Sequence, residues 1–161
     1  NIPERDLVDA FEEGDARFPG SMEGVTPDNT GWPIKYGVTN DFAEDDAPNN
    51  WVVFRYADVL LMLAEALGEG SEAYGLINQV RDRAGLDPID SDTPGSFTDK
   101  LLQERRVELA FENHRWADLL RFGVADAVMS AQGKPTNGKL LFAIPQRELD
   151  LNPRFVKKQG Y

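Results

Sequence analysis

The chain has 161 residues, and its 28 acidic and 17 basic side chains give a net charge of −11 at neutral pH. A chain of this length corresponds to about one domain and buries roughly 70% of its unfolded surface when it folds. The negative charge repels phosphate backbones, which argues against nucleic acid as a partner. With 41% apolar and 10% aromatic residues, the sequence is too hydrophobic for a disordered acidic tail. We therefore expect a folded protein.

The sequence contains no cysteine, which excludes disulfides, thiolate nucleophiles and zinc sites built on sulfur. Residues 1–6 lack the basic start and the apolar run of a secretory signal. We therefore expect either a cytosolic chain or a piece of a longer protein whose true N-terminus lies upstream.

The first third of the chain predicts one helix and a long loop. Leu7, Val8 and Phe11 form a short apolar stripe with helical spacing, preceded by Pro3 in the first turn. Between positions 14 and 50, five glycines and four prolines occur with no sustained apolar period. This composition predicts a long surface loop.

Apolar residues cover nearly every side of the segment 54–67, which predicts a helix surrounded by the rest of the protein. The segment is too short to span a membrane, and it carries charged residues. After two glycines, Ser71 can cap a second helix with one apolar face, which Gly85 ends. The two helices predict a hairpin over about 54–87, close to the roughly 34-residue length of a tetratricopeptide unit.

Ser96 and Asp99 have the spacing of a capping box, which predicts the start of a helix that runs to Phe111. Asn113 predicts a bend, because asparagine tolerates positive φ better than other non-glycine residues. The elements predicted downstream are helices over 116–122 and 125–131, a strand over 140–144 and a last helical turn opened by Pro145. The predicted fold class is all-α, an irregular helical domain with about six helices, one tetratricopeptide-like helix pair, long loops and little strand.

The densest charged stretch is 104–121, in which Glu104, Glu108 and Glu112 recur on one helix face. Three carboxylates suggest a metal, but the di-iron pattern needs a Glu-x-x-His motif on each of two helices, and His114 is the only histidine. Arginines at three- or four-residue spacing can neutralise the row. We therefore predict a structural ion-pair network, with no metal and no cofactor. Its members are Arg105, Arg106, Glu108, Glu112, Arg115, Asp118 and Arg121.

The sequence shows no catalytic motif. It has no G-x-S-x-G elbow, no second histidine and no glycine-rich phosphate loop. Paired carboxylates cleave a glycosidic bond only at a fixed separation, which nothing in the sequence sets. The acidic run at 41–46 lacks the spacing of an EF-hand, so a solvated loop is the first interpretation and calcium binding the second. We predict a protein that is not an enzyme and has no catalytic residues.

Two aromatic residues of the long loop, Trp32 and Tyr36, are candidates for ligand contact. Exposed aromatic rings offer flat apolar platforms, and such a platform suits the C–H face of a sugar. The alternative for both is that they fix the loop to the core, and for Trp51, beside the central helix, that alternative is favoured. The candidate partners for sugar hydroxyls are Asp28, Asn29 and Asn40.

Several segments, in order and at consistent separations, resemble the C-terminal region of the SusD/RagB family. The matching segments are RYADVLLMLAEA (55–66), INQVRDRAGL (77–86), ERRVELAFE (104–112), RWADLLR (115–121), DARF (15–18) and IPQREL (144–149) followed by Asn152-Pro153. Asn113 occupies the place of a glycine in the family's E-G-x-R stretch, and the chain ends in Gln159-Gly160-Tyr161 where the family has Q-N-P-G-Y.

The resemblance implies that residues 1–161 form one C-terminal SusD/RagB-like domain, a fragment of a longer chain. The family's N-terminal portion, with its signal peptide, lipid-bearing cysteine and most of its tetratricopeptide-like helix pairs, has no counterpart in these residues. In such a family the shared motifs are scaffold, and variable loops contact the ligand.

The resemblance also implies a function. The expected protein is an all-helical lipoprotein on the outward-facing side of the outer membrane, attached only through a lipid anchor that this chain lacks. It binds oligosaccharides or polysaccharides, or in some relatives peptides, and breaks no bond. It is the lid of a SusC-like TonB-dependent transporter. A helical adaptor that docks to a protein partner is the alternative from another class.

Overall fold

The computed structural model describes residues 2–37, 50, 52–152 and 154. Within these ranges the chain is mostly helical and forms a single two-stranded sheet, which confirms the predicted all-α class with little strand. The elements are α1 (Arg5–Val8), α2 (Phe18–Ser21), β1 (Met22–Thr26), β2 (Asn29–Pro33), α3 (Tyr56–Leu67), α4 (Ser71–Arg83), α5 (Phe97–Glu108), α6 (Arg115–Arg121), α7 (Ala125–Ala131) and α8 (Gln146–Leu151). The chain divides into two compact units, Asn1–Arg115 and Trp116–Tyr161.

The prediction of a plain loop over 14–50 is wrong for its first half, which contains α2 and the antiparallel hairpin of β1 and β2. Thr26 pairs with Asn29, so Pro27 and Asp28 form a two-residue turn. Proline fixes φ at about −65°, which suits the first central position of a type I turn, and aspartate favours turns. The signal for the hairpin was therefore present in the sequence. The acidic run at 41–46 lies outside the described residues.

The core of the first unit lies between three helices. α3 and α4 pack against each other across the short link 68–70, as the predicted hairpin requires, and α5 packs on both. Leu61, Ile77 and Leu101, one from each helix, have no solvent exposure. The predicted capping box opens α5: the Ser96 hydroxyl accepts a hydrogen bond from the Asp99 amide, and the Asp99 carboxylate accepts one from the Ser96 amide.

The described residues cover the central helix on one face only, so the prediction that it is surrounded on all sides stays a prediction for the whole protein. One face of α3 is buried, but the positions exposed on its other side are all apolar. They are Tyr56, Val59, Met62, Leu63, Ala66 and Leu67. A helix face in contact with water is normally polar, so this face of α3 has the composition of a buried surface.

In the second unit, α7 has the predicted bounds, and α8 begins after Pro145 as expected. The predicted strand over 140–144 is absent from the structure, although these residues are described. A strand needs a partner for its backbone groups, and the one described sheet consists of β1 and β2 alone. Leu141 and Phe142 are exposed in this segment.

Candidate ligand-binding site

Trp32 lies on β2 with half of its side chain (50%) exposed to solvent. Its register partner on β1 is Glu23, which is also exposed. Residues directly opposite each other in an antiparallel pair carry their side chains on the same face. The register thus places Trp32 and Glu23 opposite each other on the hairpin, and both residues are exposed to solvent.

Two glycines allow this arrangement. Gly24 and Gly31 have φ angles of +73° and +71°, a region that L residues with a side chain rarely adopt. A Cβ atom on Gly24 would overlap the indole ring of Trp32, and one on Gly31 would overlap the backbone carbonyl of Glu23. The ring of Trp32 therefore lies directly against the backbone of β1, which supports one of its edges while the other stays open.

The other predicted ligand contacts lie in different surroundings. Asp28 is exposed in the turn of the hairpin, and the side-chain oxygen of Asn29 accepts a hydrogen bond of 2.9 Å from the Gly31 amide. Asn40 and Trp51 lie outside the described residues. The structure adds Glu23 to this set. Sequence reasoning missed it because its proximity to Trp32 depends on a hairpin that was not predicted.

Tyr36 is placed differently from Trp32. Its hydroxyl oxygen is buried, and its ring is only partly exposed. Burial raises the pKa of the Tyr36 hydroxyl, and the negative charge of Glu112 raises it further. The Tyr36 hydroxyl therefore lies near the charge of Glu112 and away from solvent.

The three carboxylates Glu104, Glu108 and Glu112, which we call the carboxylate row, are almost completely buried. Glu108, in the middle, forms ion pairs with Arg17 at 3.1 Å and with Arg55 and Arg83 at 2.5 Å each. These arginines come from the segment before α2, the segment before α3 and the last turn of α4. The central carboxylate thus joins three separate parts of the first unit.

The two ends of the row are paired in the same way. Glu104 contacts Arg17 at 2.5 Å and Arg81 at 3.2 Å. Glu112 contacts Lys35 at 2.5 Å and Arg55 at 2.7 Å. Arg17 and Arg55 therefore each bridge two members of the row.

These contacts correct the predicted pairing, because the cations on Glu108 and Glu112 come from other elements and not from their own helix. Arg105 forms an ion pair with Asp58 of α3 at 2.9 Å, and Arg106 with Asp6 at 2.6 Å. Arg105 and Arg106 directly follow Glu104, and neighbouring residues of a helix project in different directions. Both arginines therefore lie on other faces of α5 than the carboxylate row. Within one helix, Arg121 and Asp118 of α6 pair at 2.9 Å, and Arg115 is partly buried at the start of that helix.

The environment of the row fixes its protonation. Burial raises the pKa of the Glu108 carboxyl, but the hydrogen bonds from Arg55 and Arg17 outweigh burial, so the net pKa lies below its usual value. Glu112 is lowered in the same way by Arg55 and Lys35. For Glu104 burial dominates, and the pKa is raised. The row is engaged by cations and leaves no open pair of carboxylates for acid–base chemistry.

Two further observations concern the described residues only. No group of three histidine, aspartate or glutamate side chains among them could hold a metal ion. None of the helices seen in these ranges combines the length and the apolar character that crossing a membrane requires.

Comparisons with known proteins agree on one family. The model of the SusD family matches residues 22–161. SusD-like protein P25 of Formosa agariphila is 36% identical, in an alignment that covers 96% of this chain and 30% of that protein. SusD-like protein P38 of the same organism is also 36% identical, over 70% of this chain and 25% of that protein. The chain spans between 20% and 30% of the length of the curated relatives that it matches.

Solved structures show the same similarity. A laminarin-binding SusD-like protein superposes with a TM-score of 0.76 at 33% identity, covering 100% of this chain and 38% of that one. Surface glycan-binding protein A from Bacteroides uniformis superposes with a TM-score of 0.71 at 26% identity, covering 96% and 40%. The family match over most of the sequence, together with these relatives, supports one conclusion. The chain belongs to the SusD family.

Proposed function

We propose that this chain is part of a cell-surface protein that binds oligosaccharides or polysaccharides, with Trp32 as the platform for a sugar ring. The observation that carries the proposal is the half-exposed indole, supported on Gly24, beside the exposed carboxylate of Glu23. The C–H face of a sugar packs on an aromatic ring, and a carboxylate accepts hydrogen bonds from hydroxyls at the rim. The names of the laminarin-binding and surface glycan-binding relatives support the same class of ligand.

We infer that the ligand is bound and not cleaved. Glycosidic hydrolysis requires two carboxyl groups that face the bond, one as acid and one as base or nucleophile. The carboxylate row is buried and held by arginines and a lysine, so it is not available for this role. Prolonged incubation of the full-length protein with laminarin should release no reducing ends. Their release would overturn this part of the proposal.

Family membership supports a wider proposal for the whole protein. We infer a lipoprotein on the outward-facing side of the outer membrane that works with a SusC-like TonB-dependent transporter. Co-purification of such a transporter with the full-length protein from native outer membranes would test the partnership. Binding of a peptide library with no binding of glycans would favour a peptide-binding member of the same family.

The platform is tested by titrating the full-length protein with laminarin and with a panel of other polysaccharides. We expect Trp32→Ala to weaken binding by about tenfold or more, as is common when a central aromatic contact is removed. Glu23→Gln and Asp28→Ala should have smaller effects. Phe142→Ala is the matched control, since it removes an exposed aromatic ring from the second unit. Equal affinities of Trp32→Ala and wild type for every glycan bound would overturn the platform.

One observation favours a second candidate function, the docking of a protein partner. The exposed positions of α3 are all apolar, and large exposed apolar patches commonly mark interaction sites. In the full-length protein, Leu63→Cys reports the accessibility of this face to a thiol reagent, and Gln79→Cys, exposed on α4, serves as the reference. Labelling of both at similar rates would favour docking, whereas protection of Leu63→Cys at all protein concentrations would show that the protein's own chain covers the face.

A further inference from the structure

Lys35 links the end of the hairpin to the C-terminal end of α5. Its ammonium group donates hydrogen bonds to the backbone carbonyls of Glu108 at 2.7 Å and Ala110 at 3.2 Å, and it forms an ion pair with the Glu112 carboxylate at 2.5 Å. Its side chain is only 24% exposed, although lysine side chains normally extend into water. All three contacts come from one short stretch of chain that folds around the ammonium.

The backbone of this stretch has an unusual conformation. Phe111 and Asn113 have φ angles of 67° and 65°, and positive φ is uncommon for a bulky residue such as phenylalanine. The turn brings two carbonyl oxygens and one carboxylate to a single point at the end of a helix, where a cation is also favoured by the helix dipole. The turn thus forms a binding site for the Lys35 ammonium group.

The hairpin is tied to the first unit at both of its ends. Before it, Arg17 pairs with Glu104 and Glu108. After it, Lys35 pairs with Glu112. At its base, the Ile34 amide donates a hydrogen bond of 2.9 Å to the carbonyl of Ser21. Lys35 is the nearer tie to the platform, because only three positions separate it from Trp32.

We propose that Lys35 is the positioning residue of the Trp32 platform. Its ammonium fixes the last residues of the hairpin to the turn after α5, and this contact sets the direction in which the indole ring faces. Lys35 itself touches no ligand and acts only through the hairpin. The consequence for glycan binding rests on the proposed function, whereas the anchoring of the hairpin does not.

A first experiment needs no ligand. Hydrogen–deuterium exchange of the full-length protein is compared for wild type, Lys35→Met and Lys35→Arg. Lys100→Met is the matched control, because Lys100 is a buried lysine of the same unit at the other end of α5, where it donates to the Asp90 carbonyl at 2.7 Å. We expect Lys35→Met to speed exchange in residues 22–34 by about tenfold or more, since hydrogen bonds from charged groups correspond to at least that factor.

The same experiment can overturn the proposal. Lys35→Arg, which keeps the charge, should restore most of the protection of the hairpin, and Lys100→Met should leave the hairpin unchanged while it loosens the segment around Asp90. The proposal fails if Lys35→Met leaves the exchange of residues 22–34 unchanged. It also fails if Lys100→Met speeds that exchange equally, because the effect would then be general destabilisation.

A second experiment measures laminarin affinity of the same variants beside Trp32→Ala. We expect Lys35→Met to weaken binding in the same direction as Trp32→Ala, and Lys35→Arg to restore it. Loss of binding in Trp32→Ala with none in Lys35→Met would overturn the positioning role and leave the platform intact. If Trp32→Ala itself binds normally, the platform fails, whereas faster hairpin exchange in Lys35→Met would still support the anchor.

Discussion

The carboxylate row of α5 and the hairpin of β1 and β2 use their polar groups in opposite ways. In the row, buried carboxylates are matched by arginines and a lysine from other parts of the chain, so little capacity is left for a ligand. On the hairpin, the Trp32 ring and the Glu23 carboxylate face solvent. The comparison indicates that the stretch richest in charged residues is engaged in internal ion pairs, whereas the proposed ligand platform lies on a segment with a much weaker sequence pattern.

The largest effect is expected from Glu108→Gln. This change removes the buried negative charge that Arg17, Arg55 and Arg83 share, although Arg17 keeps Glu104 and Arg55 keeps Glu112 as partners. Breaking a buried ion pair by removing one partner costs about 3–5 kcal/mol. We expect a decrease of that size in the free energy of unfolding of the full-length protein, measured by chemical denaturation. Glu72→Gln, at an exposed position of α4, is the control and should change stability by less than about 0.5 kcal/mol.

This prediction also tests the scaffold role. If Glu108→Gln kept the stability of the wild type but abolished laminarin binding, the row would belong to the ligand site and the comparison would be reversed.

The next effect is a loss of stability in acid. The pKa values of Glu108, Glu112 and Asp15 lie below their ordinary values of 4.5 and 3.8, so the unfolded chain takes up protons before the folded one. The stability that these three carboxylates contribute is fully present above about pH 4.5. It is lost as the pH falls through the lower pKa values that they have in the folded protein. The pKa of Glu104 is raised, so this carboxyl favours the folded state as the pH falls. It therefore reduces the total loss of stability in acid. Thermal unfolding of the full-length protein between pH 7 and pH 3 should show Tm falling below about pH 4.5, and a constant Tm would contradict the lowered pKa values.

Much of the helical frame could be predicted from local patterns. The capping box of Ser96 and Asp99, the bounds of α7 and the positive φ of Asn113 all depend on a few neighbouring residues. The pairing of the carboxylate row could not be predicted. Its partners lie up to 91 positions away along the chain, and only the packed helices bring them together.

The candidate site was predictable only in part. Trp32 stands out by composition alone, but the proposed role of Glu23 depends on strand register, and that of Lys35 depends on a turn more than 70 positions away. The exposed face of α3 shows a different limit. An apolar pattern predicts a buried helix, but it does not state which part of the protein covers it.

A change confined to the hairpin should separate the two regions. Gly24→Ala would place a Cβ atom in the indole ring of Trp32 and force a side chain into positive φ. We expect a local cost of about 1–3 kcal/mol, seen as faster hydrogen exchange in residues 22–34 and weaker laminarin binding. Gly20→Ala is the control, because a Cβ atom there meets no atom within 4 Å. Wild-type affinity of Gly24→Ala would show that the contact between the Trp32 ring and the backbone of β1 does not matter for binding.

The smallest effect is expected at the tip of the hairpin. Arg5 donates hydrogen bonds to the carbonyls of Thr26 at 2.8 Å and Pro27 at 3.0 Å, but these contacts are exposed. Arg5→Met should therefore weaken the hairpin by only about 0.5–1.5 kcal/mol, as for an ordinary hydrogen bond, and hydrogen exchange of the full-length protein measures this directly. Because the contacts of Lys35 are partly buried whereas those of Arg5 are exposed, the loss of Lys35 should disturb residues 22–34 more than the loss of Arg5 does. A larger effect of Arg5→Met would mean that contacts at the tip of the hairpin fix its position. The pairing of Lys35 with the carboxylate row would then no longer explain how Trp32 is oriented.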